Sequence, residues 1–238
     1  MFFKKKKKGS VEIKLGTDQF CRVLEERAED CHHTYCIDTD ADQYNLFYRN
    51  GQFMGTPTPF GGTIYPFSVD PTKPGTKGQK KKFNRAKVVC IAKDFSLKVN
   101  WGTRSPFVME DCITGRAYTV GASGVFYIEI DASDAGRNAD RFYRKCLTQR
   151  DAEMFNTEEL RDFLSEAFVN RVGAKIQEYL EEKQRSLGNL VGLQPSEFLK
   201  ISEELYPKVK DIFAEYGLTL AKASTGSILS RLIVNPVE

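Results

Sequence analysis

The chain has 238 residues, of which 41% are hydrophobic and 12% aromatic, and its formal net charge is +3. These values are typical of a folded protein with a sizeable core and exclude an intrinsically disordered chain. The small net charge argues against polyanion binding over the whole surface, and no apolar run is long enough to predict a membrane-spanning helix.

A basic tail over 1–10, MFFKKKKKGS, opens the chain. Clustered lysines beside aromatic side chains fit a reversible contact with anionic lipid, because each lysine near the surface contributes about 1 kcal/mol. A solubilising tail and nucleic-acid binding are the alternatives. The residues of the predicted membrane contact, including three lysines of a second basic block, are Phe2, Phe3, Lys4, Lys5, Lys6, Lys7, Lys8, Lys80, Lys81 and Lys82.

The segment 11–43 is interpreted as a lead-in, and it contains the sequence CHHTYC at 31–36. Structural zinc needs four ligands around one ion, and neighbours this close reach one ion only with severe backbone bending. A local turn is therefore favoured, with metal binding as the alternative. Cys90 and Cys146 lie in apolar patterns and are expected to be buried free thiols, as in a reducing compartment.

Short strands are predicted throughout the first 150 residues. Tyr44–Arg49 alternates between apolar and polar residues and meets Asn50-Gly51, a strong hairpin signal. The other predicted strands of this part are Lys87–Lys93, Ser96–Trp101, Ala117–Val120 and Gly124–Ile130.

Helical spacing begins at Asn156, where Glu159 three residues later completes a helix-start signal. Apolar residues then recur every three or four positions and predict one long helix that stops near Gly188. A second helix is predicted over Ser196–Tyr216, with a kink or break at Pro207.

The order of the elements indicates an α+β fold. Two short strands, Leu218–Leu220 and Ile228–Val234, follow the predicted helices. Strands, then helices, then closing strands are typical of this class.

Several stretches resemble the SPFH, or Band 7, family in its bacterial, virion-core-like branch. Lys98–Pro106 (KVNWGTRSP) is similar to the WGT-x-x-P signature of that branch, and 205–220 (LYPKVKDIFAEYGLTL) to its Pro/Gly-Leu helix end. The segments 47–55, 60–68 and 155–176 are similar to its early hairpin, its next strand and its long helix. The motif positions in this chain are Trp101, Gly102, Thr103, Pro106, Pro207 and Gly217.

The resemblance implies one SPFH domain over 44–238, with a twisted, mostly antiparallel sheet covered by two helices and a closing strand. Trp101 is expected to fill the core between sheet and helix, and Gly102 to allow a tight turn. The family carries no catalytic residues, and no cofactor or metal is expected here. The chain itself offers no histidine apart from His32 and His33, so a separate catalytic base for Cys31 is missing.

The function implied by the resemblance is a non-enzymatic scaffold or adaptor at the cytoplasmic, inner face of the cell membrane, in envelope stress or membrane-domain organisation. Its expected partners are an anionic membrane surface, membrane proteins or membrane-remodelling coiled-coil proteins, and further copies of the chain. A soluble nucleic-acid-binding module using the lysine clusters and a phage- or virion-associated structural protein are the alternatives.

Overall fold

A computed structural model describes residues 10–13, 15, 20–27, 34–37, 43–56, 63–64, 85–148, 157–193 and 195–237. Contacts divide the chain into two compact units, Met1–Phe95 with Ile130–Phe155, and Ser96–Glu129 with Asn156–Glu238. The boundaries drawn from the sequence at 10/11 and 43/44 stay predictions.

The first unit contains a four-stranded antiparallel sheet in the order β2-β7-β4-β5 and a small three-stranded sheet in the order β1-β3-β6. Asn50 and Gly51 have φ of 49° and 80°, so both adopt the left-handed conformation of a tight two-residue hairpin turn. The hairpin predicted at Asn50-Gly51 is therefore confirmed. The strands are β1 (Ser10–Ile13), β2 (Cys21–Arg27), β3 (Thr34–Ile37), β4 (Gln43–Arg49), β5 (Gln52–Gly55), β6 (Thr63–Ile64) and β7 (Arg85–Ala92).

Helix α1 (Ala135–Phe142) continues into a π-helical turn, Tyr143–Leu147, in the same unit. The prediction that the first 150 residues form strands is wrong for this segment. Its buried residues recur at helical spacing, and the Phe142 ring lies 5.1 Å from that of Phe95. The residues that this segment buries are Asn138, Ala139, Phe142, Tyr143, Cys146 and Leu147.

The sheet of the second unit is built around one long strand, β10. The two strands predicted at Ala117–Val120 and Gly124–Ile130 are one strand, because 121–123 stay extended and pair with β12. Strands β8 and β9 follow one another along one edge of β10, and β12 lies on the other edge. The strands are β8 (Ser96–Gly102), β9 (Phe107–Glu110), β10 (Ala117–Ile130), β11 (Leu218–Leu220) and β12 (Arg231–Pro236).

Helix α2 (Thr157–Glu182) confirms the long helix predicted from the apolar period, although it ends before the predicted stop near Gly188. The second predicted helix, Ser196–Tyr216, is shorter: α3 (Pro195–Val209) ends two residues after Pro207. Pro207 itself stays inside α3, where it removes one helical hydrogen bond, and the helix ends close to the predicted break rather than at the proline. The closing strand also starts later than predicted, at Arg231.

The described elements make an α+β protein whose two larger sheets are antiparallel, as predicted for the fold class. In the small three-stranded sheet, β1 and β3 pair in parallel. Aromatic and aliphatic side chains of β8, β10 and α2 form the core of the second unit. No helix within the described ranges is both long and apolar enough to cross a bilayer.

Candidate functional site

The WGT motif lies where β8 ends, and successive residues of β8 point to opposite faces of the sheet. Leu97, Val99 and Trp101 are buried, whereas the residues between them are exposed. The motif therefore contributes to two different surfaces, an inner face under the helices and an open outer face.

On the inner face, Trp101 is 4% exposed and its ring lies 4.9 Å from that of Phe168 on α2. Phe126 of β10 and Phe213 complete an aromatic cluster around Phe168, at ring distances of 4.6 and 6.1 Å. The indole Nε1 donates a hydrogen bond of 2.8 Å to the backbone carbonyl of Ile228. The predicted core position of Trp101 is confirmed.

Gly124, the cross-strand partner of Trp101, lets the Ile228 backbone lie directly on β10. A Cβ atom built on Gly124 would stand 1.9 Å from the Ile228 carbonyl oxygen, far inside van der Waals contact. The neighbouring Val125 amide donates a 2.8 Å hydrogen bond to the Ser227 carbonyl. Sequence reasoning missed this contact, although a glycine inside a strand pattern signals close backbone approach.

Gly102 does not form the tight turn expected from the motif. It is the last residue of β8, with ordinary strand pairing to Ser123, and a Cβ atom on it would stand 3.3 Å from the Ser123 Cβ. The glycine thus allows close pairing of two strands. Thr103 extends this pairing, since its amide donates to the Ala122 carbonyl at 2.9 Å and its Oγ1 accepts from the Ala122 amide at 3.1 Å.

A cleft of about 260 Å³ opens on the outer face, beside the break between β8 and β9. The motif residues Gly102, Thr103 and Pro106 line it. The remaining lining residues, which sequence reasoning did not select, are Arg104, Gly121, Ala122, Ser123, Arg231, Ile233 and Asn235. The pairing of β10 with its neighbours brings these distant parts of the chain together.

Pro207 and Gly217 are not among the residues that line this cleft. They act at the end of α3: the helix stops after Pro207, and Gly217 takes a left-handed φ of 74° before β11 begins. The Tyr206 hydroxyl donates to the Leu220 carbonyl at 2.9 Å and so ties the helix to this strand. Pro207 and Gly217 therefore lie where α3 ends and β11 begins.

Asp111, in the turn between β9 and β10, is 1% exposed. Its carboxylate accepts hydrogen bonds from the amides of Ile113 and Thr114 at 2.8 and 2.9 Å, and from the Ser186 hydroxyl at 2.5 Å. Burial opposes ionisation, but these bonds outweigh it and hold the pKa of Asp111 well below its usual range. Asp111 therefore joins the turn to the segment after α2 as a charged acceptor.

A polar cluster in the first unit is formed by Tyr48, Asp140 and Arg144. The Tyr48 hydroxyl donates to Asp140 Oδ1 at 2.6 Å, and Arg144 Nε donates to the same oxygen at 2.8 Å. Burial, and then the hydrogen bond to this carboxylate, raise the pKa of Tyr48 above its ordinary value. The Tyr48–Asp140 hydrogen bond links β4 to α1, and the Asp140–Arg144 ion pair lies within the helical segment.

Cys90 and Cys146 are buried thiols that form no disulfide, as expected. Burial raises the pKa of Cys90 to about 12, so this thiol stays protonated and unreactive at neutral pH. The described residues contain no group of side chains arranged to hold a metal ion.

The turn expected over 31–36 is wrong for 34–36, which lie in β3. Residues 31–33 fall outside the described residues, as does the whole predicted membrane contact at 2–8 and 80–82.

Comparison of the chain with protein-family models, curated proteins and solved structures found no match. The SPFH assignment therefore rests on the residues of the motif alone.

Proposed function

We propose that the chain is a non-enzymatic scaffold or adaptor of the SPFH kind that works at the inner surface of a bacterial membrane. The observation that carries the proposal is the WGT-x-x-P signature followed, in order and at family spacing, by the Pro207 and Gly217 helix end. Envelope stress and the organisation of membrane domains are the processes that this family assignment favours.

The fold is compatible with such a role because the motif residues stabilise a sheet rather than assemble reacting groups. Trp101 is buried against Phe168, and Thr103 is hydrogen-bonded to its neighbouring strand. A rigid sheet with one open face suits a protein whose task is to present surfaces to partners.

Membrane binding is assigned to the first basic segment, where Phe2 and Phe3 precede Lys4–Lys8. Lysines near an anionic leaflet attract it electrostatically, and a pair of aromatic rings adds shallow insertion. Neither contribution anchors a protein alone, so the contact should be reversible and should weaken as salt rises.

The test is vesicle flotation of the full chain with anionic and neutral lipid. We expect binding to anionic vesicles only, with a steep loss between about 0.1 and 1 M salt, where the Debye length falls from about 10 to about 3 Å. Replacing Lys4–Lys8 with Gln should remove most binding, and Phe2→Ser with Phe3→Ser a smaller part. The control removes five exposed positive charges elsewhere by replacing Lys98, Lys200, Lys210, Lys222 and Arg116 with Gln.

An oligonucleotide titration in the same buffer separates the nucleic-acid alternative. A nucleic-acid module would bind oligonucleotide with a similar salt dependence and would be indifferent to the loss of Phe2 and Phe3. Equal flotation of the Lys4–Lys8 variant and the five-charge control would contradict a membrane contact by the basic segment.

A further inference from the structure

The cleft beside the WGT motif has an uncovered floor on the open face of the second sheet. Gly121 lies opposite Ile233 in the β10–β12 pair and has no side chain to cover it, so Ile233 remains 42% exposed. A Cβ atom on Gly121 would stand 3.6 Å from Thr103 Oγ1 and 3.8 Å from the Ile233 Cβ, which is ordinary contact. A single methyl group would thus occupy this space without strain.

Two exposed arginines, Arg104 and Arg231, give the cleft its charge. Neither forms an ion pair or a hydrogen bond through its guanidinium within the described part of the chain, and no acidic residue lines the cleft. Other surface arginines of the described chain do find a carboxylate, as Arg144 does with Asp140 and Arg171 with Glu215. The cleft therefore presents two positive charges with no internal partner.

Two backbone amides at the cleft are already used, and side chains offer further donors to a ligand. The Ala122 and Thr103 amides already donate, to Thr103 Oγ1 and the Ala122 carbonyl. The Thr103 hydroxyl accepts one bond and keeps its proton to donate. The Ser123 hydroxyl and the Asn235 side-chain amide also line the cleft, and neither of these side-chain groups is bonded to another described residue.

We propose that this cleft is a docking site for an extended acidic segment of a partner protein, whose carboxylate side chain contacts Arg104 and Arg231 while a flanking aliphatic side chain lies on Ile233. The planar guanidinium fork matches a carboxylate in two parallel hydrogen bonds. The inference is independent of the basic segment and of membrane binding.

A peptide fits the cleft better than a phosphate group does. Phosphate sites in proteins commonly use a set of free backbone amides, and the amides of Thr103 and Ala122 are already paired. A phosphate also makes no use of the exposed apolar surface of Ile233. An acidic residue beside an aliphatic one satisfies the charged and the apolar part of the cleft together.

The experiment is a titration of the ¹⁵N-labelled full chain, followed by amide NMR shifts, with a peptide blocked at both ends, Thr-Glu-Val-Glu-Thr. Matched probes are Thr-Gln-Val-Gln-Thr, inorganic phosphate, and vesicles of phosphatidylserine. We expect the acidic peptide to shift the amides of Gly102, Thr103, Gly121 and Ser123, with a Kd on the order of 1 mM or tighter. The glutamine peptide should shift them little.

Three variants locate the site. Arg104→Gln and Arg231→Gln should each weaken binding about fivefold, in line with a charge contact at an exposed site. Gly121→Ala should also weaken it, because the added methyl group fills the floor. Arg116→Gln, an exposed arginine outside the cleft, is the matched control and should bind as the parent does. Unchanged amide spectra away from the substitution would show that each variant is folded.

Shifts confined to the cleft and lost in the three variants would support the proposal. Shifts at other residues, equal binding of the glutamine peptide, or equal binding by Arg104→Gln and Arg116→Gln would overturn it. Phosphate or vesicles that shift the cleft amides while the acidic peptide does not would also overturn it. A response to inorganic phosphate would assign the cleft to a phosphate group, and a response to the vesicles alone would assign it to a lipid headgroup.

Discussion

The two units stabilise their sheets in different ways. In the second unit, Trp101 and Phe168 belong to an aromatic cluster. The indole Nε1 of Trp101 donates a hydrogen bond to the Ile228 backbone carbonyl. In the first unit, the contact between β4 and α1 includes a charged cluster, with Arg144 also 5.5 Å from the centre of the Tyr48 ring. We therefore expect the aromatic core of the second unit to be sensitive to shape, and the contact between β4 and α1 in the first unit to be sensitive to the loss of polar and charged groups.

The difference also bears on function. Close packing on the inner face of the second sheet fixes the position of β8 and β10. The outer face of the same strands is then free to present the cleft on a rigid support, which favours specific recognition. The following substitutions test this division, from the largest expected effect to the smallest.

Gly124→Ala should have the largest effect, because its Cβ atom would stand 1.9 Å from the Ile228 carbonyl oxygen. We expect a loss of more than about 5 kcal/mol in the free energy of unfolding, or failure to fold. Gly121→Ala, three residues earlier on the open face, is the control and should change stability by less than about 1 kcal/mol. Equal effects in chemical denaturation would contradict the assignment of the two faces.

Trp101→Ala should lower the free energy of unfolding by about 3–5 kcal/mol, as truncation of large buried aromatics does. Trp101→Phe keeps most of the apolar contact with Phe168 but loses the donor to the Ile228 carbonyl. We expect this variant to lower the free energy of unfolding by only about 1–3 kcal/mol, because the buried Ile228 carbonyl is left without its donor. A Trp101→Ala variant that melts with the parent would show that the ring makes no core contact.

Asp111→Asn should destabilise the protein at neutral pH by less than Trp101→Ala, because it weakens one turn. The folded pKa of Asp111 lies below its unfolded value, which is about 3.9. The stabilisation that the ionised Asp111 provides is therefore complete above the unfolded pKa, and it is lost as pH falls through the folded pKa. Acid titration of stability should show the parent and the variant converging below about pH 4; a constant difference down to the lowest pH would contradict this role.

Tyr48→Phe should have the smallest effect, about 1–2 kcal/mol, since it removes one hydrogen bond to the Asp140 carboxylate. Arg144 remains as a partner of that carboxylate and limits the loss. Tyr127→Phe, a half-buried tyrosine of the second unit, serves as the matched control and should be neutral. Indistinguishable denaturation curves for the two variants would show that the Tyr48–Asp140 hydrogen bond does not stabilise the fold.

Local signals in the sequence were sufficient for several elements of the fold. Asn50-Gly51 predicts its hairpin because few other pairs adopt two left-handed conformations. The apolar period of α2 predicts the helix, and the Pro207 signal predicts the break that ends α3. Helix α1 was missed because it is short, and because Gly136 and Asn138 within it are weak helix formers.

The candidate site was predictable only in part. The motif identified Trp101 and Thr103, but the partner of the indole, Ile228, lies 127 residues further along the chain. Arg231 and Ile233 reach the cleft through the pairing of β12 with β10, for which no local pattern exists. Contacts of this kind follow from the topology of the sheet, whereas a single sequence reveals mainly local structure.

The central claim is that one chain connects an anionic membrane to an acidic partner segment. The most direct measurement is flotation of phosphatidylserine vesicles with the chain and the Thr-Glu-Val-Glu-Thr peptide carrying a neutral dye. We predict that the peptide floats only when the chain is present, that Arg104→Gln with Arg231→Gln releases the peptide but not the chain, and that replacing Lys4–Lys8 with Gln releases both. If the parent chain floats while the added peptide stays unbound, or if the peptide floats equally with the double arginine variant, the cleft does not hold an acidic segment and the account is contradicted.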